Sequence, residues 1–259
     1  MKVSVITINF NNPNGLEKTI ASVINQTYKS IEYIVIDGGS TDESVTIIKQ
    51  FAPEIDYWVS EKDNGIYNAM NKGIAKATGE YLIFMNSGDC FADKEVMEKV
   101  FSLPLKQDVI YGNVNFLDHE SHSAWCPPAT LSFDHFVQSS IPHQGSFIKR
   151  SLFAKVGLYN EQLKISSDWK FFLDAIVKHK CTYKKVEMFI ADCEDNGLSR
   201  KPGNQQFLRD EFFDVITNEY ADLLFEAYKV NFEIVSHVKM SRFISWFKRF
   251  GFLKNIDIS

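Results

Sequence analysis

Apolar and polar positions alternate in blocks along residues 2–86, and each block has the period of one kind of secondary structure. Short runs rich in Val and Ile are typical of strands that are buried on both faces. Between them apolar residues recur at helical spacing, as Leu16, Ile20 and Val23 do. Such alternation in short units predicts an α/β fold with a mostly parallel central sheet and helices on both faces. The predicted strands are 2–10, 31–42, 55–63 and 80–86, and the predicted helices are 12–28, 43–52 and 65–78.

The pattern is less regular in the second half of the chain. A strand is predicted at 108–118, followed by a loop or hairpin at 119–132. Residues 141–179 indicate a strand, a helix and a loop, and then a helix that begins near Asp168. A loop follows at 195–204, and the chain is helical again from Gln205. Because no internal repeat or low-complexity linker interrupts it, we predict one domain over residues 1–204 and a C-terminal helical extension over residues 205–259.

Each of the first four predicted strands ends in small polar residues. In a parallel sheet the carboxyl ends of the strands meet at one edge, and ligands bind in the crevice outside that edge. We therefore expect one binding crevice lined by these polar ends. They are Asn9 and Asn11, residues 37–40, residues 62–65 and residues 86–89.

Composition narrows the possible functions. A net charge of −5 argues against non-specific nucleic-acid binding, which needs a basic excess. The four cysteines show no metal-ligand spacing and are expected to be reduced thiols of a cytoplasmic protein. The N-terminus is expected to be a buried strand, since its apolar run is too short for a signal peptide. No run reaches the ~18 apolar residues of a membrane-spanning helix.

Asp37 follows the second predicted strand, in the stretch VIDGGSTDES. A carboxylate there can accept hydrogen bonds from a base or ribose, and the two glycines allow close approach of a ligand. It can equally cap the helix that follows, although residues 40–42 are nearer to that cap. Because the chain has neither a G-x-G-x-x-G opening nor a G-K-[ST] stretch, a Rossmann dinucleotide site or a P-loop is disfavoured.

The chain resembles the family 2 glycosyltransferases with the GT-A fold over residues 2–199. The resemblance rests on four stretches in the family's order: VSVITINFNN, ASVINQTYKSIEYIVIDGGSTDES, EKDNGIYNAMNKGIAKATGEYLIFMNSGD and PHQGSFIKRSLFAKVGLYNEQLKISSDWKFFL. It is similar in particular to bacterial enzymes of polysaccharide assembly of the colanic-acid type. The resemblance implies an inverting transfer of a sugar from a nucleotide-diphosphate donor, with UDP expected as the carrier. The implied acceptor is a hydroxyl of a glycan or a lipid-linked molecule.

The resemblance also implies roles for individual residues. Asp37 matches the acid that holds uracil or ribose, and Asp89 matches the metal-binding acid of the family's D-x-D motif. Here Asn86 and Gly88 replace two carboxylates, so we expect Asp89, the diphosphate and water to complete the shell of Mg²⁺ or Mn²⁺. The remaining nucleotide contacts implied by the resemblance are Ile8, Asn9, Asn11, Asp63, Asn64, Gly65, Asn71, Asn86 and Ser87.

On the acceptor side, Asp168 matches the family's catalytic base, which takes a proton from the attacking hydroxyl. Ser166, Ser167 and Asp168 are also good helix caps. His143 and Gln144 are expected to line the sugar or acceptor pocket, although a His there can also be a hydrogen-bonded core residue. Arg200 and Lys201 either contact the diphosphate or are solvated loop charges.

Residues 239–254 place aromatic side chains at helical spacing beside basic ones. That profile is typical of a helix in a membrane interface, and the alternative is a last helix that packs on the domain. We expect a cytoplasmic protein that lies peripherally on the inner face of the cell membrane. A non-catalytic nucleotide-sugar-binding subunit is the rival function. A nucleotidyltransferase is disfavoured because NFNNPNG lacks a basic glycine-rich loop.

Overall fold

Strands and helices alternate from Val3 to Phe84 in the computed structural model of the chain, which describes residues 1–117, 122–194 and 203–223. A two-residue strand and a helix then follow up to Ser102. These elements are β1 (Val3–Asn9), α1 (Pro13–Ile24), β2 (Ile31–Asp37), α2 (Ser44–Gln50), β3 (Tyr57–Ser60), α3 (Ile66–Lys76), β4 (Tyr81–Phe84), β5 (Cys90–Phe91) and α4 (Val96–Ser102). They confirm the predicted alternation of strand and helix.

The second half is built around a central hairpin and two further strands. Its elements are β6 (Val109–Leu117), β7 (His122–Trp125), α5 (Phe133–Gln138), a 3-10 turn at His143–Gly145, β8 (Ser146–Lys149), α6 (Arg150–Val156), α7 (Ser167–Leu173), a π-helical turn at Asp174–Lys178, β9 (Tyr183–Glu194) and α8 (Asn204–Glu219). Helix α7 begins one residue before Asp168, as predicted.

One mixed sheet holds all the strands of the described residues, in the order β3-β2-β1-β4-β8-β6-β9-β5, with β7 paired to β6. Strands β1 to β4, β6 and β9 run in one direction, while β5, β7 and β8 run opposite to them. The predicted mostly parallel sheet is therefore confirmed. The carboxyl ends of the parallel strands lie along one edge, where the functional residues were expected.

The core explains why the first strands read as continuous apolar runs. Every residue of β1 is buried, because α1 covers one face of the sheet and α3 contacts β1 and β2. Helix α1 presents Leu16, Ile20 and Val23 to the cluster that contains Val5 and Val35. Each such side chain contributes about 1.5–3 kcal/mol on burial. A Leu16→Ala change would cost about 2–5 kcal/mol, because it removes that burial and leaves a cavity.

Four elements were not predicted: β5, α4, α5 and β9. Strand β5 has only two residues, which is too short for a periodic signal. Strand β9 alternates irregularly, because charged residues occupy its exposed positions and its pairing with β6 contains register shifts.

The first compact unit of the chain ends at Phe212, within α8. The division of the chain at residue 204 stays a prediction. Among the described residues no helix has the length and apolar character that crossing a membrane requires. Residues 239–254, which carry the predicted membrane contact, lie outside the described residues.

Candidate active site

A cavity of about 1170 Å³ lies at the carboxyl ends of the parallel strands. It extends from the loops after β1, β2 and β3, past the end of β4, to residues that flank β7, β8 and α7. Asp37, Asn64 and Asn71 are not part of its lining, and Arg200 and Lys201 lie outside the described residues. The predicted residues that line it are Ile8, Asn9, Asn11, Asp63, Gly65, Asn86, Ser87, Asp89, His143, Gln144 and Asp168.

Asp37 organises the loops at the β1–β2 end of the cavity. Its buried carboxylate accepts hydrogen bonds from Asn9 Nδ2 (2.8 Å), Ser60 Oγ (2.6 Å), and the backbone N–H and hydroxyl of Ser40 (2.9 and 2.6 Å). Burial raises the pKa of Asp37, but these donors outweigh it and hold the pKa below its ordinary value. Asp37 is therefore ionised at neutral pH and engaged with protein donors, so its contact with uracil or ribose stays a prediction.

Asn11 and the two glycines shape the same loops. Asn11 has a φ of 50°, a left-handed conformation that Asn tolerates, and its side chain accepts from the backbone N–H of Thr41 (2.9 Å). A side chain at Gly38 would come within 2.5 Å of Asp63 Oδ2, and one at Gly39, where φ is +80°, within 3.1 Å of Lys62 N. Only glycine therefore lets the β2 and β3 loops approach each other this closely.

Hydrogen bonds from helix α1 and from its N-cap residue hold the turn after β4 in place. The hydroxyl of Thr19 donates to the carbonyl of Asp89 (2.7 Å) and accepts from the backbone N–H of Gly88 (3.0 Å). Asn12 donates from Nδ2 to the Ser87 carbonyl (3.2 Å), and the Ser87 hydroxyl donates to the Asn12 carbonyl (3.1 Å). These bonds fix the turn that presents Asp89 against the first-strand loop.

Asp89 is a buried acid whose negative charge is only partly compensated by its surroundings. Burial raises the pKa of Asp89 to about 6, and the charge of Glu194 adds to the rise, although His143 and donors from Cys193 and Gln144 oppose it. A bound divalent cation would supply the missing charge, and carboxylate, diphosphate and water oxygens are the ligands that Mg²⁺ and Mn²⁺ prefer. The described ranges contain no group of three or more His, Cys, Asp or Glu side chains that could hold a metal ion. The one carboxylate of Asp89 would have to share a cation with oxygens of the diphosphate and of water.

Asp168 lies in the first turn of α7 and is held by three donors. Oδ2 accepts from Nδ1 of His143 (2.8 Å), and Oδ1 accepts from the hydroxyl of Tyr67 (2.9 Å), while the backbone N–H of Trp169 also donates to the carboxylate. Burial raises the pKa of Asp168, but His143 and Tyr67 outweigh it and hold the pKa below its ordinary value. The cap position of α7 is Ser166, so a helix-capping role does not account for Asp168.

His143 connects Asp168 to the end of β4. Its Nε2 lies 3.1 Å from Nδ2 of Asn86, while Nδ1 donates to Asp168. Burial lowers the pKa of His143, but the hydrogen bond and charge of Asp168, together with the charge of Asp89, raise it above its ordinary value. Nδ1 is thus engaged with Asp168, and Nε2 can accept from Asn86 Nδ2 only while the imidazole is neutral. A direct contact of His143 with a sugar stays a prediction.

Two side-chain oxygens at the cavity are buried without a hydrogen-bond partner among the described residues. They are Oδ1 of Asn9 and Oδ1 of Asn86. A buried amide oxygen without a partner costs about 1–3 kcal/mol. Because both residues line the cavity, a ligand hydroxyl or N–H would satisfy these acceptors.

Asn71 has a structural position in this protein. Its Nδ2 donates to the Tyr159 carbonyl (2.9 Å) and to Glu161 Oε1 (2.8 Å), and its Oδ1 accepts from the backbone N–H of Tyr159 (3.1 Å). It therefore joins α3 to the loop that precedes α7. Its predicted contact with the nucleotide stays a prediction.

Sequence reasoning missed several residues that line the cavity. Tyr67 was within a predicted helix but carried no signal that its hydroxyl reaches Asp168 across the fold. Phe10 ends the first apolar run, yet it is 63% exposed and faces the cavity. Glu194 ends β9, which was not predicted, and pairs with Lys18 (3.0 Å). Only Phe10 could have been found from sequence, by its place next to Asn9.

Comparison with known proteins gives one family. The sequence model described as "Glycosyl transferase family 2" matches residues 4–147. The glycosyltransferase Rv1514c of Mycobacterium tuberculosis is 38% identical over 181 residues, which cover 67% of this chain and 68% of that protein.

Solved structures agree in fold. TarS of S. aureus in complex with UDP-GlcNAc superposes with a TM-score of 0.63 at 17% identity, covering 75% of this chain and 58% of that one. The mannosyltransferase PcManGT of Pyrobaculum calidifontis, in complex with GDP-Man and Mn²⁺, gives a TM-score of 0.57 at 16% identity, covering 80% and 59%. The chain thus spans less than two thirds of the length of these solved chains.

Proposed function

The chain belongs to glycosyl transferase family 2 and has the GT-A fold, and from that premise we propose an inverting transfer of a sugar from a UDP donor to an acceptor hydroxyl. That it is a glycosyltransferase follows from the family. TarS, a structural neighbour solved with UDP-GlcNAc, supports a nucleotide-sugar donor. The proposal adds the stereochemistry, the base of the donor, the acceptor and the residues that act.

One observation carries the proposal: a single turn binds two of the acids that line the cavity, Asp168 and Asp89. In the turn His143–Gly145, His143 donates to Asp168 and Gln144 donates to Asp89. The two carboxylates have opposite pKa shifts, because Asp168 has strong donors while Asp89 is mainly desolvated. Acids whose surroundings drive their pKa values apart can take different roles in one reaction. The lowered pKa keeps Asp168 ionised at neutral pH, as a general base must be, although it makes the carboxylate a weaker base, so its place beside the acceptor assigns the role. The partly compensated carboxylate of Asp89 is suited to bind a cation.

Asp168 has room for one more hydrogen bond, and it faces the cavity. An ionised carboxylate accepts about four hydrogen bonds, and His143, Tyr67 and the Trp169 N–H use three of these positions. The acceptor hydroxyl takes the fourth and gives its proton to Asp168 as its oxygen attacks the anomeric carbon. The bond from that carbon to the diphosphate oxygen breaks on the opposite face, and the diphosphate carries away the electron pair.

The nucleotide occupies the end of the cavity formed by the loops after β1, β2 and β3. Exposed Phe10 offers a flat ring on which a base can stack, as aromatic side chains do with single-stranded bases. The unpartnered Oδ1 of Asn9 and Oδ1 of Asn86 accept from donor groups of the nucleotide or its sugar. Lys62 lines the same end and places a positive charge near the phosphates.

Asp89 binds Mn²⁺ or Mg²⁺ together with the diphosphate. When bound, the cation neutralises the charge that develops on the leaving diphosphate. Gln144 and Cys193 hold the Asp89 carboxylate from the protein side. PcManGT, a structural neighbour, was solved with GDP-Man and Mn²⁺, which supports a metal-assisted reaction.

The acceptor enters at the other end, past Asp168. There the lining contains aromatic residues, including Trp125, which stacks on Phe116 at 6.3 Å, and Phe212. Aromatic rings provide large apolar contact area, which suits a sugar ring or an apolar aglycone. We propose a glycan or lipid-linked acceptor of cell-surface polysaccharide synthesis, met by a cytoplasmic enzyme at the inner membrane surface through residues 239–254.

Turnover of labelled donors tests the proposal directly. The purified chain is incubated with Mn²⁺, a cell-envelope glycolipid fraction and radiolabelled UDP-, GDP- or dTDP-sugars, and transfer to the lipid fraction is counted. We expect transfer from a UDP-sugar, with an anomeric configuration in the product opposite to that of the donor, measured by NMR. Retention of configuration would overturn the inverting mechanism.

Donor binding without turnover would favour a non-catalytic subunit. A ligand that binds only the folded state raises the melting temperature, so a thermal-shift series with the same nucleotides reports binding separately from transfer. A larger shift with GDP or dTDP than with UDP would contradict the proposed donor.

A further inference from the structure

Helix α8 contacts the residues that precede Asp168 and the residue that follows it. Glu211 and Phe212 are adjacent on this helix, and both belong to the same compact unit as Asp168. Glu211 contacts residues 164–166, just before α7, whereas Phe212 contacts Trp169, just after Asp168.

The carboxylate of Glu211 accepts four hydrogen bonds from three consecutive residues. Oε1 accepts from the backbone N–H of Lys164 (2.6 Å), and Oε2 accepts from the N–H of Ile165 (3.1 Å) and the N–H and hydroxyl of Ser166 (3.1 and 2.7 Å). Glu211 is only 8% exposed, and Ser166 is 1% exposed. Charge-assisted bonds of this kind are stronger than neutral ones, and burial strengthens them further.

Phe212 fixes the other side of Asp168. Its ring stacks on Trp169 with centroids 3.8 Å apart and planes inclined by 12°. Trp169 is buried and donates from Nε1 to the Phe136 carbonyl (2.8 Å), so its own position is determined by α5 as well. The backbone that carries Asp168 is thus held at both flanks.

We propose that Glu211 is a positioning residue for the catalytic base: by binding the N–H groups of residues 164–166 it fixes the start of α7, and so places Asp168 against His143, Tyr67 and the acceptor. The inference rests on the proposed function, since it assigns Asp168 as the base. By this proposal the N-terminal half of α8 contributes to catalysis, although Glu211 itself does not touch the reacting atoms.

Replacing Glu211 tests the proposal, with Asp210 as the matched control. Glu211→Ala removes every acceptor, while Glu211→Gln keeps one oxygen in nearly the same shape. Asp210 is the exposed neighbour on the same helix, where it accepts from Gln206 Nε2 (2.8 Å). A misplacement of about 1 Å can cost ~10²-fold in rate. We therefore expect kcat to fall by up to ~10²-fold in Glu211→Ala and less in Glu211→Gln. Asp210→Asn should match the wild type.

Two readouts separate positioning from a general loss of structure. The affinity for UDP with Mn²⁺ should be unchanged, because Glu211 holds residues 164–166 and makes no hydrogen bond to the loops after β1, β2 and β3. In an Asp168→Asn background Glu211→Ala should lower the residual rate little further, since residues that act as a unit are not additive. Equal losses of rate in both backgrounds, or a matching loss of UDP affinity, would show a merely structural role.

A measurement that needs no sugar transfer can report the position of Asp168 even if the chain proves not to be the proposed enzyme. The imidazole of His143 can be followed by NMR during a pH titration, in wild type and in Glu211→Gln. Displacement of Asp168 removes the partner that raises the pKa of His143, so the imidazole should titrate at lower pH in the variant. Identical titrations in a folded variant would overturn the positioning role, and absence of wild-type transfer would count against the proposed function alone.

Discussion

The substitution Asp168→Asn should abolish the proposed proton transfer and leave the local structure of the site intact. The amide has nearly the shape of the carboxylate, and its Oδ1 can still accept from Nδ1 of His143. Its Nδ2 then faces the Tyr67 hydroxyl, which can accept as well as donate. The local geometry should therefore persist, but the side chain can no longer take up a proton near neutral pH.

The expected magnitudes follow from these contacts. General-base catalysis contributes ~10²–10⁴-fold, so transfer should fall by that factor. The hydrogen bond to His143 persists but is no longer charge-assisted, so the free energy of unfolding should fall by about 1 kcal/mol, the difference between a charged and a neutral hydrogen bond. Steady-state kinetics with the labelled donor measure the first effect, and urea unfolding measures the second. Affinity for UDP with Mn²⁺, measured by calorimetry, should stay at the wild-type value.

Asp174→Asn is the matched control on the same segment. Asp174 pairs with Lys170 (2.7 Å) and Lys178 (3.1 Å) at the far end of α7 and does not line the cavity. It should lose some stability and keep normal transfer. Near-normal turnover in Asp168→Asn would refute the reasoning and leave the base unassigned. Loss of UDP binding would instead place Asp168 in the nucleotide site.

Three further outcomes are expected. Asp89→Ala should abolish the extra thermal stabilisation that Mn²⁺ adds to UDP, whereas the exposed acid variant Asp93→Ala should keep it; a full metal-dependent shift in Asp89→Ala would disprove the metal site. His143→Phe should lower stability most between pH 3.8 and 6.5, the ordinary pKa values of the two partners, where Asp168 is ionised and His143 protonated in the wild type. The difference in urea unfolding should shrink as His143 deprotonates above this window and as Asp168 is protonated below it; a pH-independent difference would contradict the ion pair. A chain that ends before Met240 should stay folded but no longer sediment with anionic liposomes, and unfolding of this truncated chain would instead indicate core packing.

The sequence predicted most accurately those strands and helices whose apolar residues recur with a regular period. The four strands from β1 to β4 and the helices between them follow from burial on two faces, which makes Val and Ile continuous along β1 and β2. The cavity was predicted for the same reason, because parallel strands bring their polar ends to one edge. The individual roles of the residues depended on a resemblance to a family, and spacing alone left Asp37 open between ligand and cap.

Contacts between distant segments could not be predicted in this way. Tyr67 and Asp168 are 101 positions apart, and Glu211 reaches Ser166 from 45 positions away. No periodic signal records which loop a buried carboxylate will meet. Asn71 lies in a predicted helix, and that helix gave no sign that its amide reaches Tyr159 and Glu161, 88 and 90 positions away. Such contacts form only when elements that are distant in sequence pack together in the fold.

The two acids of the site owe their opposite character to the kind of donor that each meets, and not to different depths of burial alone. Asp89 is 8% exposed, and its donors include the weakly polar thiol of Cys193 and the neutral amide of Gln144. Asp168 meets an imidazole whose pKa it raises, and the hydroxyl of Tyr67. Desolvation is the largest single effect on the pKa of both acids, and only at Asp168 do the hydrogen bonds and the charge of His143 together outweigh it. Because the turn His143–Gly145 supplies a donor to each acid, a shift of this turn would disturb the cation-binding carboxylate and the base together.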